Sequence, residues 1–480
     1  MIASSCEESA SSRSLTPCVR GNMNQNSLKV LLNYNQQIRK IVHPIDIKQI
    51  TNINSDLKQF FKEQNLDLFK KQNKSFSILE ELNSIKMHNH LENNWNLSNK
   101  KAMFINLKHY YLAIKQNPFD NIPITFHIKE GLNDPEYHKF MEFHKQKEEE
   151  CKEKIRIRLE CKYYQDKSKQ LQQKNMVKPK NIWIIKPGEV TNRGIGITVT
   201  NDLEQIQQIL RKNEYYINGK PKTYIVQKYI DNPLLYQKRK FDIRCYLLIC
   251  VVKGNLKAYW YQDGYIRTSC KEFNCKNLTN RMIHLTNDAV QKKCDDYGKY
   301  ELGNKLSYNE FQIYIDSNYP EQKFNFHQQV YQKMKQQALD CVKATFLKID
   351  PLRREMSFEI FGLDYMISDD FKTWLIEVNT NPCLELSSPL LAKIIPNMIE
   401  NSFRIAIDPI FSPPQPNVWN IDKKNYVPEN FLENNKFLLI FDEKFDGPSL
   451  KEMFKLNTEQ DQQIIIEEND EEEEQEIDDD

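Results

Sequence analysis

Three short segments carry the side chains that could do chemistry. The first, SFEIFGLDYMI–SDDF–KTWLIEVNTNP, reads as a β-hairpin. With its turn at Asp369–Asp370–Phe371, Asp364 lies opposite Glu377, and Asn379 follows two residues on, on the same face. The flanking residues are apolar, so two facing carboxylates would repel, and burying them unpaired would cost roughly several kcal/mol. A hard divalent cation removes the conflict. Two carboxylates and an amide oxygen suit Mg²⁺, completed by nucleotide phosphates and water; the pattern equally fits the outward polar face of an ordinary hairpin. The second segment is KRKFDIRCY. On a strand, Lys240, Asp242, Arg244 and Tyr246 share one face and Phe241, Ile243 and Cys245 the other. A Lys–Asp–Arg ladder suits phosphate or carboxylate binding, and also a solvated face laced with salt bridges. The third is IIKPGEVTNRGIGI, where Lys186 ends a buried strand before a loop with Gly188, Gly194 and Gly196. Such a loop lets backbone N–H groups approach phosphates. It is neither GxxxxGK[ST] nor a complete GxGxxG, and an ordinary glycine turn would read the same way.

The elements that must position these groups can be read around them. NIWIIKP and GIGITV are short strands, and Asn201 with Glu204 marks the start of a helix through LEQIQQILRK. Strands follow over 224–230 and 240–252, then a turn at Gly254–Asn255, LKAYWYQ, a turn at Asp263–Gly264, and YIRTS. A helix over His327–Leu347 places Val330, Met334, Leu339, Val342 and Phe346 on one stripe. Strands alternating with helices and several hairpins predict an α+β or α/β fold with a mixed sheet. The expected organisation is a disordered Ser-rich 1–26, an N-terminal domain over 27–140, a charged helix or linker over 141–180, and the body of the fold over 181–411. An extension over 412–466 and a disordered acidic tail over 467–480 complete it.

The 480 residues hold 67 Lys+Arg and 66 Asp+Glu, a net charge of +1. Eleven of the carboxylates fall in 467–480, which leaves 55 against 67 and a net of +12 for residues 1–466. A basic body points to an acidic partner. Nucleic acid is not expected, because no zinc motif, RNP string or helix-turn-helix signal is present. No apolar run approaches the ~20 residues that span a bilayer, and residues 1–15 lack the apolar core of a secretory signal, so no membrane partner is expected. The 11 Cys are scattered, odd in number and never spaced CxxC, which reads as reduced cytosolic thiols. The nine His are dispersed, and no Ser/His/Asp or Cys/His arrangement suggests a protein nucleophile.

Taken in order, IIKPG…NRGIGI, IVQKYIDNPLL, RKFDIRCYLLI, YIRTS, HLTNDAVQKK, YGKYELGN, FEIFGLDYMI and WLIEVNTNP resemble the tubulin–tyrosine ligase family, within the ATP-grasp fold. The likeness covers Asn181 to Phe411, with weaker similarity back to Asn89. The resemblance implies two mixed-sheet lobes clamping ATP and Mg²⁺, with a smaller N-terminal domain. It implies Lys186 on the phosphates, Arg193 and Gly194 in the closing loop, and Gln227, Lys228, Tyr229 and Ile230 at the hinge reading adenine. Lys240, Asp242, Thr286 and Asn287 would lie beside the nucleotide, and Asp364, Glu377 and Asn379 would hold Mg²⁺. Arg244 and Arg267 would grip carboxylates of the amino acid or acceptor peptide, Lys393 would touch the amino acid, and Lys240, Asp242 and Arg244 would carry catalysis. An upstream phosphate lysine is implied, for which Lys100 and Lys101 compete; His284 is read as structural. The implied reaction is ATP-driven amide formation between a free amino acid and a carboxylate of an acidic tubulin tail, through an acyl phosphate. Tyrosine, glutamate and glycine stay open as donors, and a catalytically inactive microtubule-binding member is the alternative. A monomer in the cytoplasm and cytoskeleton is expected, with the cilium, axoneme or basal body as its setting. The acidic 467–480 segment could compete for the same basic groove.

Overall fold

The computed structural model of the chain describes residues 87–163, 180–188, 196–212, 214–215, 219, 221–353, 356–410 and 434–455. The strands in chain order are β1 (Met87–His88), β2 (Thr125–Ile128), β3 (Trp183–Pro187), β4 (Thr198–Thr200), β5 (Tyr224–Lys228), β6 (Leu235–Tyr236) and β7 (Arg239–Val252). They continue with β8 (Asn255–Tyr261), β9 (Tyr265–Glu272), β10 (Lys305–Leu306), β11 (Met356–Ile367), β12 (Thr373–Asn379) and β13 (Phe437–Asp442). A four-stranded sheet runs β2-β5-β3-β4, and a nine-stranded sheet is built on the path β1-β11-β7-β8-β13. Among the described residues all strand pairings are antiparallel except β1 with β11, so the large sheet is mixed. Sequence-adjacent β7 and β8 join through Lys253 and Gly254, both at positive φ (52° and 76°), the geometry of the tight hairpin turn that matches strand twist. The turn therefore sits one residue earlier than the glycine signal suggested.

The long strand β7 organises the large sheet. Its odd residues Phe241, Ile243, Cys245 and Leu247 are buried in one core with the helices Lys100–Ala113, Tyr308–Asn318 and Gln332–Thr345. Its even face changes character midway: Tyr246, Leu248 and Cys250 pack under the helix Pro389–Ala406, whereas Lys240, Asp242 and Arg244 border a cavity. Residues 91–111 share the large-sheet core through Leu97, Phe104, Leu107 and Tyr111. They are anchored by Glu359, whose carboxylate accepts from the Leu91 and Asn94 nitrogens (3.0 Å each) and lies 2.8 Å from His90 Nδ1.

The small sheet has its own core of Phe126, Phe140, Trp183, Ile185, Ile206, Leu210 and Val226. One helix, Pro135–Tyr163, runs across position 140 and contributes Tyr137 and Phe140 to that core. The helix Leu203–Leu210 is capped by Asp202, which accepts from Glu204 N at 3.0 Å, so the cap falls one residue after the predicted Asn201. Helix Gln332–Thr345 follows a π-helical turn at His327–Tyr331, and Leu339 is only partly buried while Ala338 and Cys341 complete the stripe. No helix among the described residues is long and apolar enough to cross a membrane, and no disulfide joins the described cysteines.

Candidate active site

The cavity between the two sheets has a volume of about 720 Å³, within the range of ligand-sized pockets. Its floor is the large sheet and its roof the small one. On the floor, Asp364 pairs directly with Glu377 across the β11–β12 hairpin, as the turn arithmetic placed them. One residue further toward the turn the register slips, so that Tyr365 faces Leu375 and Ile376 is an extra residue. The bulge turns two consecutive residues, Ile376 and Glu377, to the cavity, which a regular strand with its alternating faces would not do.

The two carboxylates do not meet unpaired. Asp364 is gripped by Arg244 through Nε and Nη2 (3.0 Å) and by Arg267 Nη2 at 2.8 Å. Arg267 in turn makes a two-pronged contact with Asp242 at 2.6 and 2.7 Å, and the Thr286 hydroxyl donates to the same aspartate. Burial works against ionisation of Asp364, but the two guanidinium groups outweigh it and hold the carboxyl well below the usual range. Asp364 is therefore held as a carboxylate within a two-pronged arginine network. Gly362 makes room for it: a Cβ there would stand 2.8 Å from Pro382 Cβ and 3.2 Å from Arg244 Nη1.

Glu377 is the looser partner, with a side chain 30% exposed and Lys100 Nζ at 3.9 Å. Asn379 Nδ2 lies 3.3 Å from Glu377 Oε1 and 3.5 Å from Asp364 Oδ2. Two carboxylates thus converge on one amide, whose oxygen would occupy that point after a flip, an all-oxygen donor set that fits Mg²⁺.

Two buried lysines line the same cavity, Lys186 within reach of the Glu377 charge and Lys240 of the Asp242 charge. Lys186 on β3 donates to Gln227 Oε1 (2.8 Å); Gln227 Nε2 donates to Thr125 Oγ1 (2.8 Å), which donates to the Pro123 carbonyl (2.7 Å). Lys240 donates to the Tyr229 hydroxyl (3.1 Å) and the His284 carbonyl (2.9 Å). Burial lowers both ammonium groups to about 8, against the opposing pull of Glu377 on Lys186 and of Asp242 on Lys240. Among buried residues such depressed lysines mark candidate functional sites.

Most of the predicted site residues are brought together here. Lys186, Gln227, Lys228, Tyr229, Ile230, Lys240, Asp242, Arg244, Arg267, Thr286, Asn287, Asp364, Glu377 and Asn379 all line the cavity. Lys228 is held at its edge, donating to the carbonyls of Lys180 (3.2 Å) and Ile182 (3.1 Å). Of the two competing lysines, Lys100 borders the cavity and Lys101 does not. Lys393 is not brought in: it is exposed, because its helix turns Leu391, Ile394, Ile395 and Met398 toward the sheet. Arg193 and Gly194 lie outside the described residues, as does the acidic segment 467–480. The sequence reading missed Tyr265, Asp288, Lys292, Cys383 and Glu385, which also line the cavity. Tyr265 carried a signal, since it shares a strand face with Arg267.

The description "Tubulin-tyrosine ligase family" belongs to the family model that matches residues 77–415, most of the chain and all of this cavity. The chain belongs to the tubulin-tyrosine ligase family. Relatives within it include a tubulin glycylase 3D of Tetrahymena thermophila, 36% identical over 234 residues, and a tubulin glycylase 3B of Drosophila melanogaster, 33% identical over 234 residues. A human tubulin monoglycylase, TTLL3, is 31% identical over 234 residues. Each match covers 48% of this chain, but only 21%, 29% and 29% of the respective relatives. The chain thus spans less than a third of the length of each of these relatives.

Proposed function

We propose that this chain is an ATP-dependent ligase that joins an amino acid by an amide bond to a carboxylate of tubulin, with glycine as the donor. The observation that carries the reading is the cavity itself, lined between two sheets by two buried lysines and by an oxygen cluster of Asp364, Glu377 and Asn379. The sheets are read as the two lobes of an ATP-grasp fold. Membership of the tubulin-tyrosine ligase family supports the reaction class, and the names of the glycylase relatives support the donor.

A bound nucleotide supplies phosphoryl transfer, which activates the acceptor carboxylate for attack by the amino group. Lys186 and Lys240 offset phosphate charge, Lys100 stands beside Glu377, and Asp364, Glu377 and Asn379 would hold Mg²⁺. Arg244 and Arg267 spend Nε and Nη2 on aspartates, leaving Nη1 of each for a substrate carboxylate. Catalysis is then positioning and electrostatics on a prebuilt floor. An acidic tubulin tail suits the basic body, and the microtubule cytoskeleton, including cilia, is the proposed place of work.

Incubation with Mg·ATP, tubulin and labelled glycine, glutamate or tyrosine tests the reading. Glycine incorporation is expected. Replacing Glu377 by Gln should lower turnover at least about a hundredfold while tubulin binding persists. Incorporation of glutamate or tyrosine instead would change the donor, and microtubule binding without any incorporation would favour an inactive member.

A further inference from the structure

The hydrogen bonds behind Lys240 run in one direction only. His284 Nε2 lies 2.8 Å from the Asn277 carbonyl, and a carbonyl can only accept, so Nε2 carries the proton. In the neutral ring Nδ1 is then an acceptor, and the Tyr229 hydroxyl at 2.9 Å must donate to it. That leaves the phenolic oxygen with lone pairs turned to Lys240, whose ammonium donates to it at 3.1 Å. The His284 carbonyl takes a second Lys240 proton at 2.9 Å. One residue thus fixes the lysine twice, through its main chain and, by way of Tyr229, through its side chain.

We propose that Tyr229 and His284 are positioning residues that aim the Lys240 ammonium into the cavity through this one-way relay. The inference rests on the nucleotide reading of the site given above. His284 and Tyr229 are both nearly fully buried, at 2% and 4% exposure, so losing one link leaves a buried polar group short of a partner. Burial, and the nearby Lys240 charge, hold the imidazole below its ordinary value, opposed by the Asn277 contact. Burial, with Cys275 and Asp231 nearby, holds the phenol well above its own. The ring therefore stays neutral and the hydroxyl stays a donor through the physiological range. Burial, with Lys186, opposes the charge on Lys240 itself, and Asp242 and Cys275 favour it. Protonating Nδ1 would set a donor against the Tyr229 proton and turn that proton toward the ammonium, breaking the relay. The Lys186 side offers an internal contrast: its relay through Gln227 and Thr125 contains no titratable link.

The test uses the full chain and Mg·ATP. Tyr229→Phe keeps the ring but removes the oxygen. It should raise KM for ATP about tenfold with a smaller change in kcat. It should also move the alkaline fall of kcat/KM to lower pH by about one unit, because the charged lysine has lost an acceptor. A packing defect alone would not move that limb. Unchanged KM and an unchanged alkaline limb, in a variant with wild-type thermal stability, would overturn the relay. The wild-type protein supplies a second readout that needs no variant to fold: at neutral pH ¹⁵N-histidine NMR should show one imidazole as the neutral Nε2–H tautomer, titrating below the ordinary histidine range. Finding no such ring would also overturn the relay. If wild-type protein binds no Mg·ATP, the nucleotide reading fails and the role of the relay with it; binding that Tyr229→Phe leaves unaltered sinks the relay alone.

Discussion

The floor and the roof of the cavity are built on opposite plans. The floor is charge-dense and closed: Arg244, Arg267, Asp242 and Asp364 form a buried network on three neighbouring strands, each charge answered by another. The roof offers one buried cation, Lys186, whose hydrogen bonds run to neutral groups through Gln227 and Thr125 and whose charge is opposed by burial and favoured by Glu377 across the cavity. The floor spans a nine-stranded sheet with two helix-covered faces; the roof is four short strands. Removing one member of the floor strands its partners in low dielectric, whereas removing Lys186 relieves a buried charge. A rigid, compensated floor can hold metal and acceptor in register while the roof contributes a cation that makes no direct ion pair and gains a close counter-charge from a ligand.

The strongest way to break this contrast is on the floor. Arg267→Ala would leave Asp242 without its bidentate partner and Asp364 with one arginine instead of two. A loss of about 3–5 kcal/mol is expected, the usual cost of halving a buried ion pair, read as a lower urea midpoint. Arg267→Lys should recover only part of it, since a point charge cannot bridge two aspartates. Equal stability in all three proteins would mean that the floor is solvated rather than preorganised.

On the roof the expected sign is reversed. Lys186→Met should leave stability level or higher and raise KM for ATP at least about tenfold. Burial lowers the folded lysine from 10.5 to about 8, so between about pH 8 and 10.5 the unfolded chain holds the extra proton, and this lysine makes stability rise with pH across that window. Phosphate would restore the charge, so wild-type protein at pH 8 should take up protons on binding Mg·ATP, and the variant fewer. Calorimetry in two buffers of different ionisation enthalpy reads this directly.

The sequence revealed the floor's chemistry better than its wiring. Period-two alternation put Lys240, Asp242 and Arg244 on one face, and hairpin symmetry paired Asp364 with Glu377, because both rules are local. That Arg244 would close on Asp364, 120 residues away, depends on β7 lying beside β11, which no local pattern encodes. The same holds for Arg267, which reaches both aspartates from β9. The carboxylate clash that suggested a metal is thus partly answered by arginines, and the metal reading now rests on Glu377 and Asn379 as well as on Asp364. Lys100 and Lys101 sit about 100° apart on their helix, so choosing between them required knowing how that helix docks. His284 read as structural because its partner Tyr229 lies 55 residues away.

Lys393 gives the smallest expected effect and the sharpest edge to the contrast. Family likeness placed it on the amino acid, yet its helix buries Leu391, Ile394 and Ile395 against the sheet and leaves Lys393 exposed. An exposed lysine with no part in the cavity contributes neither to the floor network nor to the roof. Lys393→Ala should change stability by less than about 0.5 kcal/mol and leave kcat/KM for the donor amino acid unchanged. Donor titrations at saturating ATP and tubulin check this. A raised KM for the donor alone would mean that the helix turns on substrate binding and carries Lys393 to the site. In that case the floor, fixed though its charges are, ends in a movable wall.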